Sequence, residues 1–373
     1  MAKGIIYLAK AGTGKTTFIT SGMQKQFKNK NVLYVTFTNQ NTNNLRDKLY
    51  SLPISFKDYE VLTFYQFLFR EMILPYKLSI KDNLGLRHDI SGLYFRNAKE
   101  RVESRYINKT SAQFWQNQSG NLFGDKLAAM LIDQRNKVIL ERAIERLEKF
   151  YDYIVIDEFQ DIVNPELKVL QKLGSKIFDT LTLKLVLVGD LYQACVEKTA
   201  LGLSPYDKFD SHMTEEDFVR NKLKLKKRYF DIDTTLLKAS YRVPKSICEF
   251  VKSFFNIDIQ SKNKNKGELK YIESDQNLES LMNDDSYKIL TVDKSQKEKI
   301  KNRFSISDSR MINYGVSKGM EYPNILIFLT QPLTTALRDK NSNSLKITSR
   351  NKFYVALTRS EGNVYLVSPK YIK

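Results

Sequence analysis

The stretch Gly4–Thr17, GIIYLAKAGTGKTT, restricts the possible folds more than any other in the chain. GIIYL is a short apolar, β-prone run. AGTGKTT interrupts it with two glycines and then opens a helical pattern through Phe18 and Ile19. A strand, a glycine loop and a Lys-Thr helix start together make a phosphate cradle. Gly12 and Gly14 let backbone N–H groups converge on phosphate oxygens, and the new helix turns its positive end toward them. Lys15 can reach the β- and γ-phosphates, and Thr16 can offer a hydroxyl to Mg²⁺. The strict pattern begins with Gly where this chain has Ala9. Ala11, Gly12, Thr13, Gly14, Lys15, Thr16 and Thr17 are the expected nucleotide-binding loop.

Beyond this loop the chain alternates strands and helices, the grammar of a parallel sheet with crossover helices. Val32–Phe37 reads as a buried strand, followed by a helix through Leu45 and Leu49. Tyr59–Thr63 leads into the aromatic-faced FYQFLFREMI. Thr36, Phe37, Asn39 and Thr63 lie at C-terminal strand ends, where open α/β sheets place their ligands. Residues 75–125 lose the pattern, carry the only tryptophan, Trp115, and read as a small, mostly helical insertion. Leu127–Phe150 returns to helical spacing.

Tyr153–Ile156 is an apolar strand running into Asp157-Glu158. Adjacent acids at a buried strand end are costly unless a metal or a reaction uses them. In a P-loop enzyme Asp157 holds the Mg²⁺ shell and Glu158 orients and deprotonates the attacking water. Asn164-Pro165 reads as a helix start with proline in its first position. Leu183–Val188 is another buried strand and ends in GDLYQ, whose Gln193 can sense a γ-phosphate. The polar segment 204–233 reads as a boundary. Its basic run KLKLKKR, Lys222–Arg228, reads as a solvated helix face or a phosphate contact. Beyond it come Tyr241-Arg242, a helix opened by Pro244, strands at Leu269–Ile272, Lys288–Val292 and Ile325–Leu329, a helix carrying Arg359, and a strand Val364–Val367.

The 373 residues carry 60 Lys and Arg against 42 Asp and Glu, a net charge of +18. Such an excess either serves a polyanionic partner, nucleic acid above all, or reflects a Lys- and Asn-rich composition. Cys195 and Cys248, with His88 and His212, match no zinc spacing or disulfide framework. No apolar run is long enough to span a membrane, and no signal peptide precedes the first strand. A cytoplasmic protein with no membrane partner is expected.

Taken together, these motifs resemble superfamily 1 helicases of the UvrD/Rep/PcrA type, in that family's order and over nearly the whole chain. AKAGTGKTT is similar to the family's Walker A, which also commonly opens with Ala. VTFTNQNTNNLRDKL resembles motif Ia, TFYQFL motif Ib, YIVIDEFQD the DExx box and LVGDLYQ motif III. SYR resembles motif IV, VSKGMEY motif V and YVALTR motif VI. The resemblance implies an α/β fold with two tandem RecA-like P-loop domains and parallel sheets. They would cover 1–203, with a 1B-like insertion at about 75–125, and 234–373, separated by a boundary segment at 204–233. ATP with Mg²⁺ would bind between them. Lys15, Thr16, Asp157, Glu158 and Gln193 would come from the first domain. Arg242 and Arg359 would come from the second as γ-phosphate ligands, with Tyr241 on adenine and Glu321 near the ribose. Thr36, Phe37, Asn39 and Thr63 would face single-stranded DNA.

The departures from the family lie in the parts that handle DNA. CVEKTALG stands where motif III normally continues into base-stacking aromatics, Gly315 stands where motif V has His, and Arg242 to Asn313 leaves no room for a 2B domain. No Gln-bearing motif precedes the first strand, which leaves the choice of base open. Tyr192, Tyr314 or Trp115 could supply the missing stack. The expected function is an ATP-driven translocase or helicase on single-stranded or tailed DNA, 3′→5′ by resemblance and weak at unwinding. The alternative is a nucleotide-switched DNA-binding module that signals to a partner protein such as a nuclease.

Overall fold

The computed structural model describes residues 3–53, 56–195, 198–199, 202–203, 205–209 and 213–372. His212 and part of CVEKTALG lie outside them. The chain forms two parallel α/β sheets in tandem. The first contains β1 (Gly4–Leu8), β2 (Asn31–Thr36), β3 (Asp58–Thr63), β4 (Tyr153–Asp157), β5 (Lys184–Gly189) and β6 (Phe230–Asp233), in the spatial order β6-β1-β5-β4-β2-β3. The second contains β7 (Leu269–Tyr271), β8 (Tyr287–Thr291), β9 (Met311–Asn313), β10 (Asn324–Phe328) and β11 (Val364–Val367), in the order β7-β11-β10-β8-β9. All neighbouring pairs in both sheets are parallel. Parallel sheets bury both faces, which is why β4 and β5 read as continuous apolar runs rather than alternating ones.

The expected α/β architecture is present, and the structure corrects several details. β6 comes from the segment expected to be a boundary and instead closes the edge of the first sheet beside β1, with Phe230 opposite Gly4. The Phe230 ring also lies against Gly174, in the middle of helix Glu166–Ile177, where a Cβ would collide with it. A mid-helix glycine costs about 1 kcal/mol relative to alanine. Burying the Phe230 side chain returns about 2–3 kcal/mol. The helix starts at Glu166, with Pro165 as its cap residue, one position later than proline at the first turn implies.

Leu127–Phe150 is two helices, Leu127–Leu131 and Lys137–Phe150, because the Asn136 side chain folds back onto the Met130 carbonyl and closes the first. The insertion is mixed: helices Lys77–Leu84 and Ala98–Glu103 accompany a two-stranded parallel ladder, Gly92–Tyr94 with Asn121–Phe123. β9 was not anticipated, since three residues give too short a pattern. Among the described residues no helix is long and apolar enough to cross a membrane.

Candidate functional site

A cleft of about 410 Å³ opens where the loop after β1 meets the second sheet. Gly12, Thr13, Gly14, Lys15, Thr16 and Thr17 line one wall. Tyr241, Arg242, Gly319, Glu321, Arg359 and Glu361 line the other, and Glu158 and Gln193 the floor. Gly12 and Gly14 hold φ of 69° and 79°, the left-handed region that glycine adopts without strain. A Cβ on Gly12 would come within 2.5 Å of Ser240 Oγ and 2.8 Å of Arg242 Cβ. The loop therefore needs glycine both for its turn and for its contact with the second half. Gly14 caps the helix that begins at Lys15.

Asp157 and Glu158 sit at the end of β4. Glu158 has φ 57°, a left-handed value rare for a residue with a side chain, and such strain concentrates at functional positions. Its Oε1 lies 3.3 Å from Lys15 Nζ and its Oε2 3.4 Å from Lys318 Nζ. Gln160 Nε2 also donates to Oε2. Burial alone would raise the Glu158 carboxyl, but Lys15 and Lys318 hold it below the usual range. Asp157 has the opposite balance: burial, reinforced by Glu158, pushes its carboxyl up to about 7.

The arginines differ in setting. Arg242 Nη1 donates to Glu321 Oε1 at 2.8 Å, while its Nε is buried without a hydrogen-bond partner. Arg359 lies past the end of helix Ile347–Leu357 rather than within it, and is 1 % exposed. Its guanidinium donates to the carbonyls of Val355 at 3.0 Å and Met320 at 3.4 Å, and among the described residues no carboxylate is within ion-pair distance, though Glu158 and Asp190 act on it from farther off. Burial and the nearby Arg242 lower its pKa to about 9. A cleft that buries two guanidinium groups and Lys15 and leaves Arg242 Nε unmatched fits a polyanion such as a triphosphate. Tyr241 is 62 % exposed at the mouth, with its ring face free for a base on the side away from Lys262.

Three contacts that seam the halves together were not anticipated. Lys318 Nζ reaches across to Asp161 at 2.7 Å. Tyr354 Oη accepts from the Ala11 N–H and donates to Asp190 Oδ2, both at 3.1 Å, and Gln193 Nε2 reaches the same Asp190 oxygen at 2.9 Å. Asn351 Nδ2 donates to the Ala194 carbonyl at 2.8 Å. Lys318 and Tyr354 stand inside VSKGMEY and YVALTR, but one lysine among 60 basic residues carries no signal of its own.

The expected DNA-facing set is only partly available. Thr36 is fully buried, and its hydroxyl pairs with that of Thr42 at 2.6 Å, so it does not face a ligand. Thr63 is nearly buried and caps the helical turn at Phe64–Gln66 through a reciprocal bond with Gln66. Phe37 is half-buried and stacked on Phe64, with centroids 5.2 Å apart. Asn39 is exposed at a helix start. Trp115 and Tyr314 are each 1 % exposed and belong to the cores, so neither offers a stacking face. Tyr192 packs on Phe209 and Tyr354, with Lys10 over its ring.

Comparison with known proteins gives two kinds of match. Structures of the Arterivirus nonstructural protein 10 (helicase), one in complex with DNA, align with 99 % of this chain at 10 % and 13 % identity, with TM-scores of 0.45 and 0.43. This chain spans about 60 % of their length. No curated protein sequence matches it. The sequence profile of the family described as "AAA domain" matches residues 1–197, more than half of the chain. The chain therefore belongs to the AAA domain family.

Proposed function

We propose that the chain is an ATP-driven motor on single-stranded DNA, hydrolysing ATP in the cleft between its two halves. The observation that carries this is the convergence of Lys15, Arg242 and Arg359, from both halves, on the phosphate loop beside Glu158. Gly12–Thr17 cradle the phosphates, Glu158 takes the proton of the attacking water, Gln193 senses the γ-phosphate, and Arg242 and Arg359 offset charge on the transferred group. Mg²⁺ suits a site that supplies few protein ligands and shares phosphate oxygens. Asp157 and the Thr16 hydroxyl would hold it, and it would add charge stabilisation at the phosphates. Tyr241 stacks on the base and Glu321 reaches the ribose.

Phe37 and Asn39 mark the path of the strand, and 3′→5′ polarity follows the helicase resemblance. The burial of Trp115, Tyr314 and Thr36 supports poor strand separation and gives weight to the second reading, a nucleotide switch that signals DNA engagement to a partner such as a nuclease. ATP hydrolysis with and without single-stranded DNA tests the proposal. A motor should be stimulated at least about tenfold; an unstimulated rate would remove the motor reading.

A further inference from the structure

The basic run Lys222–Arg228 has no part in the nucleotide cleft. Past Lys222 it is a pinned loop, not a helix. Leu223 and Leu225 are fully buried, so the intervening and following Lys224 and Lys226 project outward. Lys224 holds φ 55°, a left-handed value that a lysine rarely adopts. Gln171 Nε2 donates to the Leu223 carbonyl at 2.8 Å, and Arg220 Nη1 to the carbonyls of Leu225 and Phe230 at 3.0 and 2.9 Å. Alongside lies helix Glu166–Ile177, with Lys168 and Lys172 one turn apart on its exposed face. Lys168, Lys172, Lys224 and Lys226 line one groove of about 530 Å³ with Tyr229. None of the four has a carboxylate within ion-pair distance among the described residues, whereas Lys176 on the same helix is matched to Glu141 at 3.6 Å.

The groove offers charge without a free stacking ring. Tyr229 stands edge-on to Phe178 at 5.6 Å, and Arg228 lies over both. It also lies away from the cleft. Two residues past the run Phe230 meets Gly4, while the phosphate loop begins past the other end of β1, about 17 Å along the strand.

We propose that this groove is a second DNA surface that grips the phosphate backbone of a duplex, apart from the strand at the cleft rim; it rests on the reading of the chain as a DNA motor. Surfaces for single strands combine positive charge with stacking aromatics. Lysines pre-ordered by buried leucines, with their aromatic neighbour covered, suit the regular phosphates of a duplex instead.

The test titrates a blunt duplex of about 20 base pairs, and a single strand of equal length, across a salt series. Three proteins are compared: wild type, K168Q/K172Q/K224Q/K226Q, and a charge-matched control, K25Q/K28Q/K294Q/K299Q, whose lysines are exposed and lie elsewhere. With about 0.9 counterions released per contact, the groove variant should lose about 3.6 from its duplex salt slope and at least about tenfold in affinity. The control and the unstimulated ATPase rate should stay near wild type. The helix pair K168Q/K172Q, which leaves the loop intact, should show about half the effect. Equal losses in groove variant and control would overturn the inference, as would a groove variant with wild-type duplex affinity. In both cases single-strand stimulation in the wild type would leave the motor reading standing. A wild type that binds neither DNA form would overturn both.

Discussion

Lys318 gives the sharpest quantitative test of how the halves are joined. Its ammonium lies 2.7 Å from Asp161 and 3.4 Å from Glu158, and the three side chains are only 17 %, 15 % and 12 % exposed. Solvent screens such a cluster poorly. Lys318→Met keeps most of the stem and deletes the charge, stranding Asp161 beside Glu158. Removing one partner of a buried pair costs about 3–5 kcal/mol; Lys15, 3.3 Å from Glu158, shields part of what is left, so we expect about 3 kcal/mol. Replacing both partners is far less damaging than replacing one, so Lys318→Met/Asp161→Asn should be more stable than Lys318→Met by about 1–2 kcal/mol.

The pH dependence has a definite sign. Burial raises the Asp161 carboxyl, and Lys318 counteracts that. Without Lys318 its folded pKa climbs further above the unfolded value. Its contribution is then present at low pH and lost as pH rises through the folded pKa, so the Lys318→Met deficit should shrink on acidification. Urea unfolding followed by the fluorescence of Trp115, the only tryptophan and buried in the first core, gives the four stabilities of the cycle. Strictly additive effects of the two substitutions would refute the pairing across the seam.

Glu158→Gln should retain ATP binding and lower turnover by about 10²–10⁴-fold, since it removes the base and spares the cradle; rapid-quench hydrolysis at saturating ATP would expose an error if the rate held. Arg359→Ala should cost about 10³-fold in turnover with little change in nucleotide affinity, whereas Arg242→Ala should also speed nucleotide release, because its segment is bonded to the phosphate loop. Stopped-flow release of a fluorescent ATP analogue separates the two, and equal release rates would contradict the distinction. Glu166, buried with Oε2 unpartnered, has its carboxyl raised to about 7 by desolvation. Its stabilising contribution is complete below the unfolded pKa and lost as pH rises through about 7, so the wild type should lose about 2–3 kcal/mol between about pH 5 and pH 8 through this group. Glu166→Gln should flatten that slope in thermal melts, and an unchanged slope would locate the titration elsewhere.

The lining of the cleft was partly legible because it uses uncommon local patterns: two glycines before Lys15, and two acids ending an apolar run at Asp157-Glu158, which the structure brings to one cleft through the loop and Glu158. Strands buried on both faces were legible for the same reason, as unbroken apolar stretches. What failed depended on packing and on partners that local pattern does not report, near or far in sequence. Thr36 sits at the expected strand end, but only the fold brings Thr42 under its hydroxyl. Trp115 was a candidate stacking face until packing placed it in the core. β6 could not be assigned to the first sheet because its partner β1 lies more than 200 residues upstream, with Phe230 opposite Gly4. Lys318 and Tyr354 act across the seam, and no periodicity reports a contact between halves.

The segment between the halves gives the two arginines different fates. The Lys10 N–H donates to the Leu237 carbonyl at 3.0 Å and the Tyr241 N–H to the Gly12 carbonyl at 2.9 Å, so the chain leading into Arg242 is fastened to the phosphate loop itself. Arg242 stands beside that loop, and among the described residues its one carboxylate partner is the half-exposed Glu321, a weak tie to the second half. Arg359 belongs to the second half, which is tied to the first through Lys318–Asp161 and Tyr354–Asp190. If the halves of the proposed motor part, Arg242 would stay with the glycine loop while Arg359 would move with the second sheet. On the proposed reading, holding the nucleotide would then be separable from the timing of its cleavage, because the two arginines are anchored to different parts of the fold.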